Sequence, residues 1–357
     1  MRILQIIDSL EAGGAERIAV SYANALIRHS EFSGLVVTRK EGPFVNQIDS
    51  SVSYLFLNKK KTLDFKAVFR LRNYVRLNKV TIVHAHGTSF FIAFLLKLIY
   101  PKVKIIWHEH YGGRIRESIR DNFSLFFSSI FFSSVFVVNH QLEAWAKKNL
   151  LVKKVSYIPN FATFEENYPN TTFLKGNDEK RIVCLANLKK PKNHLAILIA
   201  FQEMKLNDLG WSLHLIGKDY KDGYSIQLKE FINKNKLENF VFIYGSKNDI
   251  KHILSQITIG ILASTTEGFP VTLLEYGCAK LPVVSTNVGY CPLIIKDNLS
   301  GLLFDPLNQS QLQQQLHKMI SEKSLRDRFG MQLQEFVFNN YSKAKVVNLL
   351  LNKYKTI

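Results

Sequence analysis

The stretch IGILASTTEGFPVTLLEYG, residues 259–277, carries the pattern from which the fold is predicted. It opens with a short apolar run, Ile259–Leu262, of the length of a buried strand. A loop with one glycine and one proline follows, and Pro270 suits the first position of a helix. Apolar residues then recur at helical spacing. A buried strand that leads through a loop into a helix is the repeating unit of a parallel sheet covered by helices.

The same unit recurs along the whole chain. In the first half, the predicted strands cover residues 2–7, 33–38, 80–85, 104–107 and 135–138. In the second half, they cover residues 181–185, 212–216, 240–244, 259–262 and 282–285. Helix-like sequence separates consecutive strands in both halves. The alternation predicts two α/β domains, each with a doubly wound parallel sheet.

The chain of 357 residues is long enough for two domains. A polar, turn-rich stretch over 163–180 is the predicted linker. We therefore expect a Rossmann-like N-terminal domain over 1–162 and a second Rossmann-like domain over 163–339. Ligands of such sheets bind beyond the carboxyl ends of the strands, so we expect the two sheets to face an inter-domain cleft. Helices are predicted over 309–321 and 335–355, and the C-terminal helix, about 340–357, is expected to pack back on the first domain.

A formal net charge of +18 favours an anionic ligand. Nucleic acid, an acidic membrane surface and a diphosphate-bearing substrate all fit that charge. No zinc-finger, RNP-like or helix-turn-helix pattern is visible, so nucleic acid is not expected as a partner. The three cysteines, Cys184, Cys278 and Cys291, are unclustered, which predicts no disulfide framework and favours a cytoplasmic location.

Two features bear on membranes. The apolar stretches over 90–100 and 123–138 are shorter than the ~20 residues that a spanning helix needs, so no transmembrane helix is expected. The predicted helix over 62–79 is expected to bury Phe65, Val68, Phe69 and Val75 and to expose Lys66, Arg70, Arg72, Arg76 and Lys79. Such a basic amphipathic surface is typical of peripheral binding to an anionic membrane surface. An ordinary packed helix with a solvated face explains it equally well.

Two carboxylates frame the stretch quoted first. Glu267 lies in the predicted loop, and Glu275 lies eight positions later, about two turns along the helix. A plain amphipathic helix does not call for a glutamate between Leu274 and Tyr276. The spacing suits one carboxylate that holds sugar hydroxyls and another that holds ribose hydroxyls, with phosphates at the helix N-terminus between them.

A lysine-rich loop follows the first strand of the second half. It contains Lys189, Lys190 and Lys192 shortly before a predicted helix. Ammonium groups beside a helix N-terminus suit a diphosphate. A solvated basic loop is the alternative interpretation.

Glycine and histidine pairs follow strands of the first half. Gly13 and Gly14 open a helix, where they suit either a ligand that approaches the backbone or a bare turn. The segment from His108 to Arg114 gathers His108, His110 and Arg114 at a strand end, where imidazole can bond to a sugar hydroxyl. His84 and His86 form a second His-x-His pair, which is more often structural. Neither pair predicts a metal site, because no further ligand recurs at helical spacing nearby.

Together these segments resemble the family-four glycosyltransferases, which have two Rossmann-like domains in the GT-B arrangement. The resemblance is carried by Gly13-Gly14-Ala15-Glu16, the loop over 189–193, Glu267 and Glu275 at their spacing, Pro159-Asn160, and the segments over 282–286 and 301–303. These matches span nearly the whole chain in the order of the family. The resemblance implies an enzyme that transfers a hexose or N-acetylhexosamine from a nucleotide sugar, such as a UDP-sugar, in bacterial surface-polysaccharide synthesis.

Residue roles follow from the resemblance position by position. In the second domain, Glu267 is expected to contact the donor sugar, and Glu275 the ribose. Donor contacts are also expected from Gly268, Phe269, Pro270 and Val271, whose segment supplies backbone donors, and from Asn187, Lys189 and Lys192. Lys192 matches the diphosphate lysine of the family. An arginine is usual five residues before it, and here Asn187 stands in that place, so we predict that Lys189 supplies the second cation.

In the first domain, Gly14 matches the glycine loop near the diphosphate, and His110, or else His108, matches the histidine beside the transferred sugar. Gly13, His108 and Arg114 are expected on the acceptor side. The resemblance implies retention of configuration with no metal and no cofactor. The expected acceptor is a saccharide or a lipid-diphosphate-linked saccharide at the inner face of the plasma membrane. Two rival functions keep the fold: a sugar-nucleotide epimerase and a non-catalytic partner subunit.

Overall fold

The chain forms two compact units in the computed structural model, which describes residues 1–11, 13–118, 122–162 and 169–357. Unit 1 comprises Met1–Asn160 and Ala344–Ile357, and unit 2 comprises Phe161–Lys343. The chain thus leaves unit 1 two residues before the expected boundary. The first part of the predicted linker, residues 163–168, lies outside the described residues.

Unit 1 is built on a sheet of seven parallel strands. They are β1 (Arg2–Ser9), β2 (Phe32–Lys40), β3 (Ser53–Phe56), β4 (Ile82–His86), β5 (Lys104–Glu109), β6 (Ser134–Val137) and β7 (Val155–Tyr157). Its α-helices are α1 (Gly14–Leu26), α2 (Phe65–Leu77), α3 (Phe90–Ile99), α4 (Phe123–Ser128) and α5 (His140–Asn149). The strand order is β3-β2-β1-β4-β5-β6-β7. Strands are therefore added toward one edge from β1 to β3 and toward the other edge from β4 onward. This is the doubly wound arrangement that the alternation predicted.

Two strands of unit 1 were not predicted. β3 and β7 are the two edges of the sheet, and every residue in them is only half-buried. An edge strand packs against one neighbouring strand instead of two, so its apolar run is short. The sequence signal is correspondingly weak.

Unit 2 repeats the plan with six strands. They are β8 (Arg181–Leu185), β9 (Ser212–Ile216), β10 (Val241–Gly245), β11 (Ile259–Leu262), β12 (Val283–Thr286) and β13 (Leu302–Phe304), in the order β10-β9-β8-β11-β12-β13. The helices are α6 (His194–Glu203), α7 (Gly223–Lys234), α8 (Ile250–Ser255), α9 (Val271–Cys278), α10 (Cys291–Ile294), α11 (Gln309–Ser321) and α12 (Lys323–Tyr341). The five predicted strands are confirmed to within one residue. Strands are added toward one edge from β8 to β10 and toward the other edge from β11 onward. The loops after β8 and β11 therefore lie at the switch point of the sheet.

The C-terminal region differs from the prediction. Instead of one helix over 335–355, α12 ends at Tyr341 and α13 (Lys343–Lys355) begins two residues later. Ser342 between them has an extended backbone, with ψ of 148°. From Ala344 onward the chain belongs to unit 1, where Tyr354 is only 2% exposed. Because the helix breaks at Ser342, the apolar residues before it pack in unit 2 and those after Lys343 pack in unit 1.

The inward face of α2 is also not the one predicted. Ala67, Val68, Leu71 and Val75 are buried, while Phe65 and Phe69 are 67% and 53% exposed. The prediction that both phenylalanines point inward is therefore wrong. Leu71 and Val75 fill the interior one turn apart, and that register rotates both rings to the outside. Each helix of the described residues is either too short or too polar to span a bilayer. The three cysteines are free thiols.

Candidate functional site

The loops at the switch point of unit 2 meet through an ion pair. Lys192, in the loop after β8, places Nζ 2.5 Å from Oε1 of Glu267, in the loop after β11. Ser264 donates a hydrogen bond from Oγ to the same carboxylate oxygen over 2.6 Å. The backbone N–H of Thr265 donates to the carbonyl of Pro191 over 2.8 Å and ties the two loops together. The structure thus brings together two residues that the sequence placed 75 positions apart.

Helix α9 is held firmly against strand β8. Its N-cap is Pro270, so the proline lies one residue before the first helical position expected from sequence. Thr272 donates from Oγ1 to the carbonyl of Leu185 over 3.0 Å. The Tyr276 hydroxyl accepts the N–H of Leu185 over 2.9 Å. These two hydroxyls, one near each end of α9, hold the helix against β8, and neither residue had been singled out from sequence.

Glu275 lies on the buried face of α9. The residue is 4% exposed, which fits the argument that a carboxylate at this position is unusual in an amphipathic helix. Its charge, after the larger effect of burial, helps to raise the pKa of Cys278 to about 11. A buried carboxylate is stable only with compensating donors or cations, so Glu275 has a specific polar role in unit 2.

Asn187 and Lys189 have partners that the sequence did not indicate. Asn187 accepts the backbone N–H of Lys218 on Oδ1 over 2.8 Å and so joins the loops after β8 and β9. Lys189 places Nζ 4.7 Å from the centre of the Tyr220 ring, and Lys218 places its Nζ 4.9 Å from the centre of that same ring. Lys218 is therefore a second cation beside Lys189 that sequence reasoning missed. Its position directly after β9 was the available signal.

Phe269 and Gly289 shape the loop that carries Glu267. The Phe269 ring is 6% exposed and stacks on Tyr290 with 4.9 Å between ring centres. Because the ring is buried, a ligand reaches Phe269 only through its backbone. Gly289 has φ of +55°, and a Cβ there would lie 1.8 Å from the carbonyl oxygen of Glu267. Glycine at 289 is thus required for the close approach of the loop after β12.

The predicted glycines of unit 1 lie at the start of α1. Gly13 is the N-cap, in extended conformation, and a Cβ on it would lie 2.1 Å from a carboxylate oxygen of Glu16. A Cβ on Gly14 would meet nothing within 4 Å, and Gly14 is exposed. The two glycines therefore differ. A side chain at 13 would collide with the Glu16 side chain, whereas the space beside Gly14 is open.

Four histidines come together at the carboxyl ends of β4 and β5. These strands pair in parallel with His86 opposite His108, so His84, His86, His108 and His110 form one cluster. His108 is fully buried and His110 half-buried, with 4.2 Å between the ring centres. Because parallel strands place their ends at the same edge, two His-x-His pairs on consecutive strands could have revealed the cluster.

The cluster is held by ring stacking as well as by hydrogen bonds. His84, His86 and His108 each have a nitrogen within 4.8 Å of the others. The three rings stack, with interplanar angles of 10° to 30°. Burial, the main cause, lowers the pKa of each of these histidines and keeps the rings neutral.

Arg114, predicted on the acceptor side, is occupied within unit 1. Its Nε lies 2.6 Å from Oε2 of Glu109, and its Nη1 contacts Glu117 and Asn122 at 2.8 and 2.5 Å. Glu109 is 1% exposed, and burial raises the pKa of its carboxyl although Arg114 opposes this effect. Arg114 therefore stabilises the loop after β5 through Nε and Nη1.

Two family models match the chain, one for each half. The model described as Glycosyltransferase Family 4 matches residues 12–165, and the model described as Glycosyl transferases group 1 matches residues 171–336. Among curated proteins, the chain is 22% identical to an Escherichia coli UDP-Gal:alpha-D-GlcNAc-diphosphoundecaprenol alpha-1,3-galactosyltransferase, over 82% of this chain and 81% of that protein. It is 23% identical to the Escherichia coli O-antigen biosynthesis glycosyltransferase WbnH, over 95% and 96%.

Solved structures share the fold. The Anabaena protein HepE in complex with UDP and glucose aligns over 100% of both chains, with a TM-score of 0.84 at 14% identity. A glycosyltransferase from Rickettsia africae aligns over 99% of this chain and 98% of its own, with a TM-score of 0.81 at 20% identity. The predicted fold class, two Rossmann-like units of the GT-B type, is thereby confirmed.

Proposed function

The chain belongs to the family 4 glycosyltransferases, and on this basis we propose that it transfers a hexose or N-acetylhexosamine from a UDP-sugar to a lipid-linked saccharide. The Escherichia coli relative, whose name specifies UDP-Gal and a diphosphoundecaprenol-linked acceptor, supports both substrate classes. The HepE structure, which contains UDP and glucose, supports the nucleotide. The process served is the synthesis of a bacterial surface polysaccharide.

The observation that carries this proposal is the pair of Lys192 and Glu267 beside the N-terminus of α9. A diphosphate brings negative charge that competes with Glu267 for the ammonium group of Lys192. Its arrival frees the carboxylate, which is held by Ser264, to accept hydrogen bonds from sugar hydroxyls. The backbone N–H groups at Gly268 and Val271 and the helix dipole add donors for the same phosphates.

The remaining predicted donor residues complete this arrangement within unit 2. Glu275 binds the ribose hydroxyls. Lys189 adds the second cation in the place of the missing arginine, with Lys218 against the same Tyr220 ring. Asn187 acts through the backbone of Lys218, since its side-chain oxygen is bonded there.

We propose retention of configuration by displacement on one face of the donor sugar. The bond between the anomeric carbon and the phosphate oxygen breaks, and the acceptor oxygen bonds to the same carbon. The acceptor proton passes to the departing phosphate oxygen. Lys192 and the α9 amides stabilise the charge that develops on this diphosphate. His110 contacts the transferred sugar.

Cation stabilisation by lysine predicts that transfer needs no divalent metal. Activity measured in excess chelator should equal activity in buffer, because no ion is required to neutralise the leaving group. A chelator-sensitive reaction that magnesium restores would contradict this part of the proposal.

The donor is tested by thermal stabilisation with UDP-, GDP- and ADP-sugars and with the free nucleotides, since a ligand of the folded state raises the melting temperature. UDP-sugars should give the largest shift. Glu275→Gln should reduce the shift from UDP and from UDP-sugars alike, because the ribose is common to both. Glu267→Gln should reduce only the additional shift that the sugar provides. No stabilisation by any nucleotide sugar would refute the proposal.

We also propose that unit 1 binds an anionic membrane surface through α2, α3 and α4. Helix α2 packs against α3, and α3 against α4, so the three form one layer. Large apolar side chains are exposed on this layer at Phe65 67%, Phe69 53%, Leu98 51%, Phe123 67% and Phe127 49%, and Ile130, two residues after α4, is 55% exposed. Lys66 and Arg70, each next in sequence to one of the two α2 phenylalanines, are also exposed. Apolar side chains with adjacent cations suit an interface with acidic lipids.

A further inference from the structure

The four clustered histidines of unit 1 are joined by hydrogen bonds into one chain that also includes Gln5 and Tyr354. His110 Nε2 lies 2.9 Å from His86 Nδ1, and His86 Nε2 lies 2.8 Å from Gln5 Oε1. Gln5 Nε2 donates to the Tyr354 hydroxyl over 3.4 Å, and that hydroxyl lies 2.5 Å from His84 Nδ1. His84 Nε2 lies 3.1 Å from His108 Nδ1.

The amide of Gln5 sets the direction of every bond in this chain. Its oxygen can only accept, so His86 carries a proton on Nε2 and has a lone pair on Nδ1. His110 must then donate from Nε2. On the other side, the Tyr354 oxygen accepts from the amide nitrogen of Gln5 and donates its own proton to His84. His84 therefore donates from Nε2 to His108.

The two ends of the chain have opposite hydrogen-bonding roles. His110 is left with a lone pair on Nδ1, and His108 with a proton on Nε2. Both of these atoms are buried and have no hydrogen-bond partner within the described part of the chain. Burial lowers the pKa of His110 to about 3 and raises the pKa of Tyr354 well above its usual value. Each histidine in this series of hydrogen bonds therefore stays neutral and carries a single ring proton.

We propose that Gln5 and His86 are positioning residues that fix His110 in one tautomer, with its proton on Nε2 and its lone pair on Nδ1. An effect on transfer rests on the proposed function, whereas the proton position is a property of unit 1 alone. An imidazole free to choose its tautomer would hold this arrangement in only part of the molecules, and a fixed one holds it in all.

The test is nitrogen NMR of the imidazole rings in histidine-labelled protein without substrate, which reports which nitrogen carries the proton. The wild-type protein should show Nε2 protonated in His84, His86, His108 and His110. Gln5→Met, which removes both amide groups, should give His86 and His110 mixed tautomers. Its kcat should fall about tenfold, the value of one hydrogen bond that holds His110 in place, with little change in donor KM.

The matched control is Leu4→Ala, a buried change in the same strand that leaves the chain of bonds intact. At an equal loss of melting temperature, it should retain the wild-type tautomers and kcat. Protonation of His110 on Nδ1 in the wild-type protein would overturn the inference, and so would zinc that binds one to one and perturbs three of the histidines. Because the spectra need no substrate, they decide the proton position even if sugar transfer is not the activity, and even if Gln5→Met fails to fold.

Discussion

At the scale of single residues, the decisive contact is that of Lys192 with Glu267. The Lys192 side chain is 30% exposed and that of Glu267 9%, so the pair lies where a ligand can displace it. Because the Glu267 carboxylate is nearly buried, removal of Lys192 leaves it with the bond from Ser264 and should cost some stability as well as donor binding.

Lys192→Ala should raise the KM for the nucleotide sugar and lower kcat, reducing kcat/KM about a hundredfold, because it removes the cation beside the leaving diphosphate. Lys190→Ala is the control, since Lys190 is an exposed lysine of the same loop. It should leave both constants nearly unchanged. Steady-state kinetics measure the difference. If Lys192→Ala kept the wild-type kcat and KM, the role of Lys192 at the diphosphate would be refuted.

At the scale of elements, the loop after β12 depends on Gly289. Gly289→Ala adds a Cβ at φ of +55° and places it against the carbonyl of Glu267, so the loop that carries Glu267 must move. We expect a loss of about 1–3 kcal/mol in stability and a weaker thermal shift with UDP-sugar.

Gly223→Ala is the matched control for Gly289→Ala. Gly223 begins α7 without a positive φ, and a Cβ on it would meet nothing within 4 Å. This variant should melt at or above the wild-type temperature. Equal effects of the two substitutions, measured by thermal unfolding, would contradict the role given to Gly289.

The exposed rings of α2 give a second prediction at this scale. Phe65→Ser combined with Phe69→Ser should abolish sedimentation with vesicles that contain acidic phospholipid, because it removes the apolar contact with the membrane. The thermal shift with UDP-sugar should be unaffected. Leu307→Ser, at a residue of unit 2 that is 87% exposed, should sediment like the wild type. Sedimentation that does not depend on acidic lipid would exclude the proposal.

At the scale of the whole molecule, buried neutral histidines make stability depend on pH. Burial lowers the pKa of His110 to about 3, of His194 to about 4 and of His214 to about 3. Because these values lie below that of an unfolded histidine, the unfolded chain binds more protons in acid. The stabilisation is complete above pH ~6.5 and is lost as the pH falls toward these values.

We expect the melting temperature to drop steadily from pH 7 to pH 5, with a cost of about 2 kcal/mol for each such histidine at pH 5. His214→Phe should show a shallower slope than the wild type, because it removes one such ring. Melting curves across this pH range provide the measurement, and a flat profile would contradict the assignment of neutral, buried rings.

The sequence by itself determined the repeated passage from strand through loop to helix, and with it two doubly wound sheets. It also placed Lys192 and Glu267 on loops after strands, because apolar periodicity reports local burial and parallel strands end at one edge. The edge strands β3 and β7 escaped prediction since half-burial leaves little periodic signal.

Only the tertiary structure decided which groups meet. The bond of Asn187 to Lys218 and the hydrogen bonds that link His110 to His108 depend on which strands are neighbours in the sheet. The outward rings of Phe65 and Phe69 depend on the register that Leu71 and Val75 impose on α2. The hydrogen bonds join residues far apart in the chain. The periodicity of apolar residues reports only local burial, so it cannot predict them.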